Sequence, residues 1–340
     1  MYKCLIIAIV CFSATHTCCI AQTDSIQQRI VLIGDAGELN FGRAPVVDAV
    51  RNLIPLNEKT TIIYLGDNLY NYGLPDDRMP EYAHLKSILD SQINIAQGTK
   101  AKVFFIPGNH DWANADLNGT EIVKRQGNYV NNSGNPNVQF TPVDGCPGPV
   151  AHSINKDVEL ITYDSQWFIR KQGTKPGIES DCDSKTPEQF YSELDAILEK
   201  NSKKLVILAG HHTLRSYGIH GGYFPARLLL FPLIDINPKL WIPIPIGIIY
   251  ILARGTFGTP EDLRFPAYAN MIRGVDSTAK KYPNVIFVGG HEHTLQLIKD
   301  SSYYYLVSGA GSKHTRLNRG KKLLFGANQF GFATLEISEN

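Results

Sequence analysis

The sequence predicts an α/β fold with substantially parallel strand pairing. Two observations predict it. Short apolar runs rich in β-branched and aromatic residues recur along the chain, and each ends in a polar, glycine-containing turn. Helical patterns lie between several of these runs, and strand–helix alternation builds mainly parallel sheets. In chain order the expected strands are residues 29–34, 61–66, 102–107, 158–163, 204–210, 285–289, 303–307 and 332–337. The helical patterns include residues 80–97 and 187–201. Residues 128–149, rich in Asn, Gly and Pro, are expected to form a loop, and so are residues 173–187.

The ends and the middle of the chain carry other signals. Residues 1–21 combine a basic start at Lys3, an apolar run over 5–12 and small residues near Ala21, the pattern of a secretory signal peptide cleaved before Gln22. The run is too short to span a bilayer, and Thr15-His16-Thr17 is a poor lead-in to lipid modification at Cys18 or Cys19. Four of the six cysteines fall in this leader, leaving Cys146 and Cys182, either as a disulfide or as separate thiols. Residues 22–340 are expected to form one domain with an apolar insertion at about 223–270. In that insertion, the run over 240–252 is broken by Pro243, Pro245 and Gly247 and separated from the run over 228–234 by Asp235, Asn237, Pro238 and Lys239, which favours a packed insertion over a membrane-touching or partner-binding flap.

Composition excludes several classes. A hydrophobic content of 43% rules out a disordered chain. With 33 basic against 32 acidic residues, nothing points to a nucleic-acid partner.

Residues suited to metal binding fall immediately after the apolar runs. In order they are Gly34-Asp35-Ala36-Gly37, Gly66-Asp67-Asn68-Leu69-Tyr70, Gly108-Asn109-His110-Asp111, Gly210-His211-His212 and Gly290-His291-Glu292-His293. Open α/β sheets bind ligands at the carboxyl ends of their strands, so five distant turns can converge. Of the ten histidines one is in the leader, and six of the other nine (His110, His211, His212, His220, His291, His293) sit in or beside these turns. Carboxylates, imidazoles and an Asn carbonyl make a mixed N/O donor set, and a shared carboxylate can hold two metal ions.

These five turns resemble the calcineurin-like metallophosphoesterase superfamily, and within it the purple acid phosphatases of the small, mammalian-like, tartrate-resistant type. Gly37 stands where the wider superfamily has a histidine, and Tyr70 stands three positions after Asp67. The segments GHHTLRSYGIHG at 210–221, GHEHTLQ at 290–296 and SGAG at 308–311 are also similar. The likeness runs from Arg29 to the C-terminus, with 223–270 as the main departure.

The resemblance implies a sandwich of two mixed sheets flanked by helices (α/β/β/α) around a dinuclear centre. Fe(III) would be held by Asp35, Asp67, Tyr70 and His293. A divalent Fe, Zn or Mn ion would be held by Asp67, Asn109, His211 and His291. A phenolate is a hard anionic donor suited to Fe(III). His110 and His220 would face the substrate. Asp111 is expected either to orient a ligand or to cap a turn, and His212 to stand behind the ligands or at the rim.

The implied activity is a secreted acid phosphatase that hydrolyses small phosphomonoesters with a metal-bound hydroxide. One alternative is a phosphodiesterase or nucleotidase of the same superfamily. Another, of a different class, is a surface interaction protein using the insertion. The basic run over 313–322 reads either as a solvated loop or as a contact for substrate phosphate, and Asn118 and Asn131 begin glycosylation sequons.

Overall fold

The computed structural model describes residues 5–11, 26–223, 231, 233, 239–243 and 258–338. Most of the expected insertion therefore lies outside the described residues. Six strands form the first sheet, in the order β1 (Leu5–Cys11), β13 (Gly331–Ser338), β2 (Ile26–Ile33), β3 (Thr60–Tyr64), β4 (Lys102–Phe105) and β5 (Val138–Phe140). Strands β2 to β5 are parallel, and β13 and β1 add antiparallel.

The second sheet runs β12 (Leu323–Ala327), β10 (Leu295–Asp300), β11 (Tyr303–Ser308), β9 (Val285–Gly289), β8 (Leu205–Ala209), β7 (Val158–Thr162) and β6 (Val150–Ser153). Its centre is parallel and its outer strands are antiparallel. Both sheets are mixed.

Side-chain alternation along the central strands creates the layers. From β2, Ile30 and Leu32 point between the sheets, with Ile63 and Phe104, and meet Leu160, Ile207, Ile286 and Val288 of the second sheet. Val31 and Ile33 point the other way, onto helices α1 (Pro45–Leu53), α2 (Tyr82–Ile93) and α3 (Gly119–Asn131). The outer face of the second sheet packs on α4 (Ser165–Ile169), α5 (Pro187–Lys200) and α6 (Pro266–Ala279) through Trp167, Phe190, Leu194, Tyr268 and Met271. The result is the four-layer α/β/β/α sandwich.

The expected strands and both expected helices are present. Three segments differ from expectation. The loop predicted at 128–149 contains the last turn of α3 and strand β5, because Val130 and Phe140 are buried and the Asn131 side chain accepts from Phe140 N at 2.7 Å. The stretch predicted as the end of the insertion enters the framework at Pro266, where α6 begins and buries Tyr268. The apolar run of the predicted leader pairs along β13 as edge strand β1. Cys146 and Cys182 form a disulfide with a Cα–Cα distance of 5.5 Å. Among the described residues no helix is long and apolar enough to cross a membrane.

Candidate metal centre

The turns after β2, β3 and β4 of one sheet meet the turns after β8 and β9 of the other. Within each sheet backbone bonds join neighbouring turns, Asp35 N donating to Gly66 O at 3.0 Å and Gly290 N to His211 O at 2.9 Å, and between the sheets His291 N donates to Asp35 Oδ2 at 2.8 Å. Two glycines make this closeness possible. At Gly66, whose φ is +88°, a Cβ would stand 2.6 Å from His211 Nδ1, and at Gly108 it would stand 2.3 Å from Asp67 Oδ1. Asp35, Asp67 and His291 themselves take φ values of 58°, 50° and 67°. Left-handed backbone is uncommon outside glycine, and strain of this kind gathers at functional sites.

Two donor groups face each other. In the first, Tyr70 Oη donates to Asp35 Oδ1 at 3.1 Å and lies 3.2 Å from His293 Nε2, which is 3.4 Å from the same Asp35 oxygen. In the second, His211 Nε2 is 3.0 Å from Asn109 Oδ1 and 3.4 Å from Asp67 Oδ1. Ligand atoms of Asp35, Asp67 and His211 all lie within 4.8 Å of one another, which joins the groups.

The histidine tautomers suit ligation. A carbonyl only accepts, so a ring nitrogen bonded to one must carry the proton. His211 Nδ1 bonds to Leu65 O at 2.8 Å, leaving its Nε2 lone pair for the cluster. His291 Nε2 bonds to Glu261 O at 2.7 Å, leaving Nδ1.

Burial sets the electrostatics. It pushes Asp35 up to about 7 against the pull of His211, with neighbouring Asp67 adding to the rise. Tyr70 is driven well above its ordinary range by burial and by Asp35 and Asp67. His293 is held down to about 4 and His291 well below 6.5, both chiefly by desolvation, so both rings are neutral at neutral pH. Hard oxygen donors and neutral imidazoles, packed where anionic charge is costly, are the donor set that bound cations relieve.

The other sequence-predicted residues surround this cluster. His110 N donates to Asp67 Oδ1 at 2.9 Å, and its Nδ1 bonds Asn71 O at 2.8 Å, so Nε2 faces the cluster 3.9 Å from Asp67 Oδ2. His220 stacks on His291 at 4.4 Å with 13% of its side chain exposed. Burial opposes protonation of His220, but Asp262 and Glu292 outweigh it and raise its pKa. Asp111 lies behind the cluster, taking bonds from Gly108 N at 2.7 Å, Asn68 N at 3.0 Å, Leu69 N at 3.1 Å and Gln126 Nε2 at 2.7 Å. It orients the turns that carry Asp67 and Asn109. His212 is 1% exposed and bonded to Ser165 Oγ at 2.8 Å, so it stands behind His211 and His291.

Sequence reasoning missed two residues, Glu292 and Asp262. Glu292, fully buried, accepts from Ser216 Oγ at 2.8 Å, Ile219 N at 3.2 Å and His220 N at 3.0 Å, and so holds the His220 loop. Asp262 Oδ1 lies 3.4 Å from His220 Nδ1, off hydrogen-bond alignment but within ion-pair reach. Lys313, the first residue of the basic run, stands 3.4 Å over the Tyr70 ring and 3.4 Å from Glu38. A carboxylate between two histidines at the end of an apolar strand was a signal for Glu292. Nothing in the sequence marked Asp262.

The model of the calcineurin-like phosphoesterase family matches residues 28–242, well over half of the chain. The chain belongs to the calcineurin-like phosphoesterases. The match covers the turns from Asp35 to His220, whereas His291 and His293 lie beyond it. Members of this family work with two metal ions. The phosphoesterase is 23% identical over 299 residues to purple acid phosphatase 3 of Arabidopsis thaliana, covering 82% of this chain but only 62% of the relative's length. Among solved structures it is similar to GAP50, the anchor in the inner membrane complex of Plasmodium, with a TM-score of 0.50 and 17% identity over 92% of this chain and 82% of that one. It is also similar to PhoD, with a TM-score of 0.54 and 12% identity over 92% of this chain and 64% of that one. At these identities the two structures speak for the fold alone.

Proposed function

We propose that this phosphoesterase is an acid phosphatase of purple type, exported through cleavage before Gln22, that hydrolyses small phosphomonoesters. The observation that carries the reading is Asp67 standing between two donor groups, with the Tyr70 phenol in place of a histidine. Asp35, Asp67, Tyr70 and His293 would hold Fe(III), and Asp67, Asn109, His211 and His291 a divalent Fe, Zn or Mn ion. When bound, such a pair neutralises phosphate oxygens and activates water for attack on phosphorus.

The remaining work falls to the protein's own side chains. His110 presents Nε2 to the phosphate. His220, gripped through Glu292 and kept protonated beside Asp262, gives its proton to the leaving oxygen as the P–O bond breaks. A raised pKa keeps that acid available below and around pH 6.5 and removes it as pH climbs past the raised value, so turnover should decline toward alkaline pH.

The test compares kcat/KM for p-nitrophenyl phosphate and its bis-ester, using residues 22–340, across pH. The expected result is monoester preference with an acidic optimum. Preference for the bis-ester would replace this reading with a phosphodiesterase, and a rate still rising at alkaline pH would remove His220 as the acid.

A further inference from the structure

We propose that Asn114 is a positioning residue, locking the amide of Asn109 so that its oxygen, not its nitrogen, serves the divalent ion. The inference rests on the divalent site proposed above and adds a residue outside its ligand set.

The lock is a relay of hydrogen bonds whose polarity is fixed at one end. The oxygen and nitrogen of a side-chain amide are told apart by their partners, and a backbone carbonyl only accepts. Asn114 Nδ2 donates to Asn71 O at 3.3 Å, so Asn114 Oδ1 points the other way. There it accepts from Asn109 Nδ2 at 2.9 Å. Asn109 Oδ1 is thereby set 3.0 Å from His211 Nε2, on a ring whose proton is on Nδ1 against Leu65 O. Two acceptors face each other, and Asp67 Oδ1 stands 3.4 Å from the same nitrogen. Lone pairs converging in this way suit a cation, not a hydrogen bond.

An unlocked Asn109 has a competing arrangement. Turned over, its Nδ2 would donate to His211 Nε2 and close the position to a metal ion. With Asn114 in place, that turn sets Asn109 Oδ1 against Asn114 Oδ1. Turning Asn114 as well sets its own oxygen against Asn71 O. Either way a hydrogen bond is lost and two oxygens oppose each other. The backbone holds Asn114 for this task. Its φ is 57°, a left-handed value that Asn tolerates. Its N donates to Asn109 O at 2.7 Å, and its carbonyl accepts from Arg170 and Gln166.

The test measures Zn²⁺ affinity of the iron-loaded full chain by competition with a chromogenic chelator. Asn114→Gly keeps the left-handed backbone and should weaken Zn²⁺ about 10- to 100-fold, the usual cost of losing a group that orients a ligand. Iron content should not change. Asn114→Asp offers Asn109 Nδ2 an acceptor whichever way it turns, and should bind Zn²⁺ as the wild type does. In the Asn109→Asp background either carboxylate oxygen serves, so adding Asn114→Gly should cost nothing. A merely loosened loop would weaken Zn²⁺ in both backgrounds, which would overturn the proposal. So would wild-type affinity in Asn114→Gly, or loss of iron along with zinc. A wild type that binds no Zn²⁺ beside its iron would overturn the divalent site and this inference together. Affinity is read without turnover, so these results stand apart from the ester preference that tests the phosphomonoesterase reading.

Discussion

Tyr70 and Glu292 show how single side chains divide the work of the centre. The Tyr70 phenol reaches both Asp35 and His293, so in the proposed ferric site it is the donor that gives the bound iron its colour. Tyr70→Phe should abolish the visible absorption of the iron-loaded protein, and an unchanged spectrum would remove Tyr70 from the site. Glu292 acts at one remove, through the His220 loop. Glu292→Gln turns an acceptor for two backbone N–H groups into a partial donor and removes a charge that raises the His220 pKa. It should lower kcat about tenfold, the cost of one broken charge-assisted bond. The alkaline limb of the pH profile should move to lower pH, with metal content unchanged. An unmoved limb would make Glu292 merely structural. At this scale the site was largely legible, because each turn carries its side chain next to a glycine at the end of an apolar run. Asp262 was not legible, since it reaches His220 through the return from residues outside the described structure.

Among the elements, β6 makes a test independent of the metal site. Its His152 packs on Phe104 of the opposite sheet at 4.7 Å and shares hydrogen bonds of 3.2 Å with Thr141 and Thr162. Burial holds its pKa down from 6.5 to about 4. Between those values the unfolded chain binds a proton that the folded chain refuses. His152 therefore costs no stability above pH 6.5 and destabilises the fold progressively as pH falls toward 4. Allowing for its partial exposure, the loss should reach about 1–2 kcal/mol. Urea midpoints at neutral and acidic pH should converge for wild type and His152→Gln at the acidic end. A gap that does not change with pH would refute the assignment. Strands such as β6 and β5 were illegible for a physical reason. They are short edge or near-edge elements whose order comes from a neighbouring strand and from the Asn131 clamp, not from an apolar pattern of their own.

In the whole molecule, the centre sits at the seam where the carboxyl edges of two sheets meet, so neither sheet alone contains it. The alternation of strands and helices predicted the class, while the partition into two sheets needed the family resemblance, because β13 returns across the whole chain to pair with β2. Cleavage before Gln22 would remove β1 and leave β13 at the edge, with the five site-bearing strands and their turns untouched. Asp67 lies on that seam, its ligand oxygen within 4.8 Å of ligand atoms of both Asp35 and His211, and in the proposed centre it would serve both ions. Its φ of 50° is one that Asn adopts readily, so Asp67→Asn removes the shared charge without altering the backbone. Elemental analysis of purified wild type and Asp67→Asn tests the account most directly. It predicts two ions per wild-type chain and at most one, weakly held, in the variant. Two ions retained by Asp67→Asn, or none bound by the wild type under metal-replete conditions, would contradict it.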